Sequence, residues 1–200
     1  ALTRRGDICV AVSSNGHSPT LAQVIRDKVE RLLPRDLTSL LERLKCERKK
    51  PDRDLENLRT IAKAGVGKVF LIGCGTGHVG NLTLDALQAF ELLDVALVDA
   101  LVSKEVQALI PPHCEIVDVS KKKGFHSKSQ DEINALLVEY AKKGLVVGRL
   151  KGGDPLLFGR VGEEKAILAQ EEIEFEVLNG VSSAFRSCTV SGIVTTIRDI

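Results

Sequence analysis

The sequence predicts an α/β fold: a mostly parallel sheet from Lys68 onward, preceded by a small strand-plus-helix segment. Three observations carry this. Between residues 68 and 178 short runs rich in Val, Ile and Leu alternate with runs of helical period, the order that buries a parallel sheet between helices. Glycine, proline and capping residues punctuate the junctions between these runs. Ahead of them, one Ile/Val run and two helical runs end in a charged stretch.

In order, "GDICVAVSS" places a buried strand at Ile8–Val12. A helix follows, with Ser18 as cap, Pro19 in its first turn, and Leu21, Val24, Ile25, Val29, Leu32 and Leu33 on one face. Pro34 stops it, and a second helix opens at Asp36 with Leu37, Leu40, Leu41 and Leu44 together. The charged stretch 45–59, which contains Pro51, reads as a hinge between two units. "KVFLIG", "DVALVD", "CEIVDV", "LVVGRL" and "IEFEVL" are strands. "NLTLDALQAFELL", "SKEVQALI", "SQDEINALLVEYAKKG" and "VGEEKAILAQE" are the helices between them. The third of these carries a capping box from Ser129 and Glu132 and a stop at Gly144.

Composition narrows the function classes. The 200 residues are 44% hydrophobic and 28% charged with a net charge of +1, so no basic surface argues for nucleic acid or an anionic membrane. No apolar run approaches the ~20 residues of a membrane helix. Five widely spaced cysteines without a C-x-x-C pair read as reduced thiols of a cytoplasmic protein, and neither they nor the four histidines suggest a metal site. The chain begins at Ala1 and contains no methionine, which points to a piece excised from a longer polypeptide.

Ligands of open α/β sheets bind beyond the carboxyl ends of the strands. The loops there are "GCGTGHVGN" (73–81), "DALVS" (99–103), "SKKKGFHSKSQ" (120–130), "KGGDPLLFGR" (151–160) and "NGVSSAFRS" (179–187), richer in glycine, acid and base than turns require. The first approximates the dinucleotide fingerprint, but Gly77 falls one place early and Gly80 two places late for G-x-G-x-x-G. In the fourth, adjacent Gly152 and Gly153 remove two side chains and Pro155 then fixes the backbone, an arrangement suited to close approach of a ligand.

Taken in order, "VFLIGCGTGHVGNLTLDAL", "VALVDALVS", "KKKGFHSKSQDEIN", "RLKGGDPLLFGRVGEE" and "NGVSSAFRSCTVSGIVTTIRD" resemble the tetrapyrrole methylase family, and within it the uroporphyrinogen-III C-methyltransferases, across residues 68–200. The resemblance implies the N-terminal lobe of that fold over 67–178, the start of a second lobe over 179–200, and S-adenosylmethionine as methyl donor with S-adenosylhomocysteine as product. It assigns donor binding to Thr76, Gly152, Gly153, Asp154, Leu157, Ser182 and Ser183. It assigns the proton acceptor to Asp99 and the proton donor to Lys121. Arg149, Lys151, His126, Arg160 and Arg198 are further candidates for the carboxylates of the substrate uroporphyrinogen III. The sequence departs from the family where Thr76 and His78 replace a proline and an acid, Ala100 an arginine, and Val194 and Ile197 a proline and a histidine.

The opening "TRRGDICVAVSSNGHSPTLAQVIRDKVERLLP" resembles the end of the dehydrogenase–ferrochelatase unit of the bifunctional siroheme synthase family. This implies that residues 1–60 comprise the end of that unit, dimerisation helices of a homodimer and a linker. NAD use would belong to a part of the unit mostly missing from this chain, and Ser14 matches a phosphorylated serine. Two alternatives stand beside methyl transfer. The parent chain acts mainly as NAD-dependent precorrin-2 dehydrogenase and sirohydrochlorin ferrochelatase with a degenerate methylase, or the piece is non-catalytic and dimerises.

Overall fold

Gly6, at φ +55°, turns the chain between β1 (Leu2–Arg5) and β2 (Ile8–Ala11), which pair antiparallel with Arg5 opposite Ile8. The computed structural model describes residues 1–34, 36–52, 54–120 and 129–198. The expected strand at Ile8–Val12 is therefore present one residue shorter, but it is not buried. Its only partner in the two-stranded ribbon is β1, and its residues alternate between half-buried and exposed.

Helix α1 (Pro19–Leu32) starts as its sequence dictates, with the Ser18 hydroxyl accepting from the Leu21 amide at 3.2 Å. Its apolar face divides. Leu32 packs against the core of the main sheet and Arg31 reaches Gln88 at 2.7 Å, whereas Leu21, Val24 and Ile25 are 54%, 51% and 41% exposed. Helix α2 (Leu37–Arg48) is capped by Asp36 and α3 (Leu55–Ala64) by Asp54. The stretch read as a hinge is thus the turn of a helix pair. Pro51 does end a helix, but Asp54 restarts one at once, and α3 packs on α2 through Gly65, where an added Cβ would meet Leu40.

Strands β3 (Lys68–Gly73), β4 (Val95–Val98), β5 (Glu115–Asp118), β6 (Val146–Lys151) and β7 (Glu174–Leu178) form one parallel sheet in the order β5-β4-β6-β3-β7. Right-handed crossovers fix where the helices go. The steps β3 to β4 and β4 to β5 run toward one edge and carry α4 (Leu84–Phe90) and α5 (Lys104–Gln107) over one face. The two return steps carry α6 (Gln130–Lys142) and α7 (Val161–Gln170) over the other. Side chains alternate accordingly. Ile72, Val98 and Leu150 meet Ala86, Phe90 and Val106, while Leu71, Leu97 and Val147 meet Leu137, Ala141 and Leu168. Each fully buried leucine among these contributes about 2 kcal/mol. The capping box of α6 forms on both sides, Ser129 and Glu132 exchanging bonds of 2.5 and 3.2 Å.

The same topology opens the cleft. β6 sends its chain to the α7 face, whereas its neighbours β3 and β4 send theirs to the α4–α5 face, so the loops leaving their carboxyl ends diverge. Helix α8 (Ser183–Ser191) follows β7 and leaves Phe185, Val190, Ile193, Val194 and Ile197 at least 61% exposed in its own length and the residues after it.

Candidate active site

Two glycines stitch the cleft together. Gly75 and Gly153, at the ends of adjacent loops, exchange backbone hydrogen bonds as an isolated antiparallel bridge, 3.2 Å from the Gly75 amide and 2.6 Å from the Gly153 amide. Both hold left-handed backbone, φ +65° and +71°, which costs an ordinary residue about 1–2 kcal/mol. Gly152 is small for a different reason: a Cβ there would lie 2.5 Å from that of Leu101 in the loop after β4. At Gly153 a Cβ would meet nothing within 4 Å among the described residues and would stand in the cleft.

Asp154 joins a third loop to these. Its Oδ1 accepts from the Leu156 amide at 2.8 Å, closing its own turn, and its Oδ2 accepts from the Gly180 amide at 3.1 Å. Ser182 caps α8 by accepting from the Ala184 amide, and Ser183 opens that helix. Thr76, in the position where proline was expected, takes a hydrogen bond from the Asn81 side chain at 2.7 Å, and His78 caps the short turn Val79–Asn81 through its ring nitrogen. Side-chain caps thus replace the missing ring as the brace of this loop.

The result is a cleft of about 950 Å³ lined by Thr76, Asp99, Arg149, Lys151, Gly152, Gly153, Asp154, Leu157, Arg160, Ser182 and Ser183. Among the sequence-derived candidates, Ser14 and Arg198 are not in that lining. Ser14 accepts from the Ser18 amide in the turn before α1, and Arg198 is exposed beyond α8. Lys121 and His126 lie outside the described residues. Leu157 is 43% exposed, and Phe158 and Arg160 beside it hold left-handed backbone at φ +58° and +52°. Arg160 pairs with both oxygens of Glu163 at 2.7 Å on the rim.

Arg149 and Lys151, one strand period apart on β6, are 2% and 4% exposed. Both turn to Glu164 of α7, itself 0% exposed. Lys151 Nζ is 2.8 and 2.9 Å from its two oxygens, and Arg149 Nε is 3.0 Å from Oε1. Arg149 Nη2 donates to Asp99 Oδ2 at 3.1 Å, and Nη1 lies 3.4 and 3.3 Å from the carbonyls of Leu97 and Leu150. The two cations expected to receive substrate carboxylates are therefore engaged by protein carboxylates. Burial, and then the Arg149 charge, lowers the Lys151 ammonium below the usual lysine range, with Glu164 opposing. Beneath the first loop, burial pushes the Cys74 thiol up to about 12, which keeps it neutral. Among the described residues no cluster of His, Cys, Asp and Glu is arranged to hold a metal, and no helix is long and apolar enough to cross a membrane.

Sequence reasoning passed over Glu164, reading "VGEEKAILAQE" only as a helix between two strands. The available signal lay on β6: R-x-K puts two cations on one side of a buried strand, and buried cations require an anion.

Comparisons with known proteins match both the N-terminal segment and the part of the chain that builds this cleft. Residues 5–32 match the sirohaem biosynthesis protein central family. A siroheme synthase of Aeromonas hydrophila is 40% identical over 230 aligned positions, covering 98% of this chain and 49% of that protein. The chain thus spans about half the length of the siroheme synthases it matches. The crystal structure of uroporphyrin-III C-methyltransferase from Thermus thermophilus superposes with a TM-score of 0.57 at 42% identity, over 66% of this chain and 55% of that one. The same enzyme complexed with S-adenosyl homocysteine gives a TM-score of 0.55 at 41% identity, over 66% and 54%. With the profile of the tetrapyrrole (corrin/porphyrin) methylases running from residue 68 to residue 200, through every loop of the cleft described above, the chain belongs to the tetrapyrrole methylase family.

Proposed function

We propose that the cleft binds S-adenosylmethionine and that the polypeptide carrying these residues methylates uroporphyrinogen III at two ring carbons, giving precorrin-2 for siroheme. One observation carries the reading: the glycine bridge leaves the face of Gly153 open in the same cleft that Asp99 enters from the neighbouring strand. The residues present fit the donor. The cradle is backbone where a Cβ would intrude, Leu157 supplies apolar wall, and Thr76, Ser182 and Ser183 supply polar edges.

When bound, the donor supplies an electrophilic sulfonium methyl: a pyrrole carbon forms the new C–C bond, and the S–C electron pair stays on sulfur as S-adenosylhomocysteine. The chain's own work is alignment and proton handling. Asp99 Oδ2 is held by Arg149, and among the described residues Oδ1 forms no hydrogen bond, so Oδ1 is the atom that takes the proton the macrocycle releases to neutralise the charge left by methylation. Arg198 and the rim residue Arg160, whose exposed pair with Glu163 a substrate carboxylate can displace, are the cations that meet substrate carboxylates, and Lys121 is the proton donor. Incubation with S-adenosylmethionine and uroporphyrinogen III tests the reading. The expected product is heavier by two methyl-for-hydrogen replacements, and recovery of unmethylated substrate contradicts it.

The N-terminal segment supports a second contribution. We assign it to the end of a dehydrogenase–ferrochelatase unit that uses NAD elsewhere in the parent chain, in the cytoplasm, and to a homodimer contact. The exposed Leu21, Val24 and Ile25 of α1, with Leu2 at 48%, form the apolar surface for it. Light scattering is expected to give a dimer for the wild type and a monomer for Val24→Glu/Ile25→Glu; a wild-type monomer contradicts the assignment.

A further inference from the structure

Glu164 is a carboxyl side chain with no exposure at all, placed below the cleft rather than in its wall. Burying a carboxylate costs several kcal/mol unless its partners compensate, and apolar side chains of similar volume stabilise such positions as well or better. Stability alone therefore does not account for the cluster. Its charges balance: Arg149 and Lys151 against Glu164 and Asp99, with Gln130 Nε2 adding a neutral hydrogen bond to Glu164 at 3.3 Å.

The geometry says what the balance accomplishes. A guanidinium is planar and its N–H directions are fixed relative to one another. With Nε held by Glu164 and Nη1 near the carbonyls of Leu97 and Leu150, the plane of Arg149 is determined and Nη2 has one direction left, toward Asp99 Oδ2. Glu164 also accepts Lys151 with both oxygens, which keeps that ammonium from turning to Asp99. We propose that Glu164 is the positioning residue of this site: by holding Arg149 and Lys151 it confines Asp99 to a single contact through Oδ2 and leaves Oδ1 open to the cleft. The proposal rests on the reading of Asp99 as the proton acceptor. Without the Glu164 charge, two cations share one carboxylate, Asp99 is drawn down to both, and its second oxygen is no longer presented.

A double-mutant cycle in the polypeptide that carries this chain tests this, with kcat, KM for uroporphyrinogen III and the Kd for S-adenosylmethionine measured for each variant. Glu164→Gln is expected to lower kcat about 10–100-fold, the scale of a misplaced reacting group. KM and the donor Kd should stay within about threefold, and in an Asp99→Asn background the same substitution should have no further effect. Arg149→Lys keeps the charge and deletes the fork, and is expected to reproduce the kcat loss at unchanged donor affinity. This variant decides the matter if Glu164→Gln does not fold. Wild-type kcat in either variant overturns the proposal, and so does a loss of equal size in both backgrounds, which marks a structural role. Wild-type turnover in Asp99→Asn alone removes the reading of the base itself, whereas loss there with additive Glu164→Gln removes only the positioning role.

Discussion

Asp99→Asn is expected to lower turnover of uroporphyrinogen III about 10²–10⁴-fold, the range for removal of a positioned base, while S-adenosylmethionine affinity changes little. The side chain is isosteric and its oxygen still accepts from Arg149 Nη2, so the loop after β4 keeps its anchor. What disappears is the negative charge and with it the ability to take a proton. The cluster below becomes cationic by one, and because the Asp99 charge is among the influences that raise Lys151, that ammonium is lowered further. The Asp99 side chain is 35% exposed, so the change in folding stability is small. Steady-state kinetics beside a donor titration check this; turnover within threefold of wild type would assign the proton to another group.

Much of this arrangement was legible in the sequence, for identifiable reasons. The parallel sheet was legible because strand and helix periods alternate strictly from Lys68 to Leu178, and because Ser129 with Glu132 forms a capping box that survives into the structure. The cleft was legible because strand-end loops of one parallel sheet must share an edge. The N-terminal region was harder. A run such as Ile8–Val12 carries no mark that separates a core strand from one strand of a ribbon, and its partner "LTRR" has no apolar alternation to betray it. The charged stretch 45–59 looked like a hinge because charge dominates its composition, yet Asp54 has the cap geometry that starts α3. At the site, the roles of Arg149 and Lys151 depended on Glu164, which lies 13 residues beyond Lys151 and reaches it only through the crossover of α7.

The second large effect concerns the glycine turn. Gly153→Ala adds a methyl that would stand in the cleft and meets no atom of the described residues within 4 Å, so its consequence should appear in ligand binding before it appears in packing. Its φ of +71° also makes alanine strained by about 1–2 kcal/mol. Gly153→Asn separates the two effects, since asparagine tolerates left-handed backbone far better. Both variants are expected to retain the sheet and to lose at least about 2 kcal/mol of donor affinity, roughly thirtyfold. Gly162→Ala, in α7 with open space around its Cβ and no left-handed backbone, serves as the control and should bind as the wild type does. The direct measurement is calorimetric titration of S-adenosylmethionine into the polypeptide carrying this chain and into these three variants. Saturable binding to wild type and Gly162→Ala, with thirtyfold or greater weakening in Gly153→Ala and Gly153→Asn, is the predicted result; equal affinity in all four, or no binding by the wild type, would contradict it.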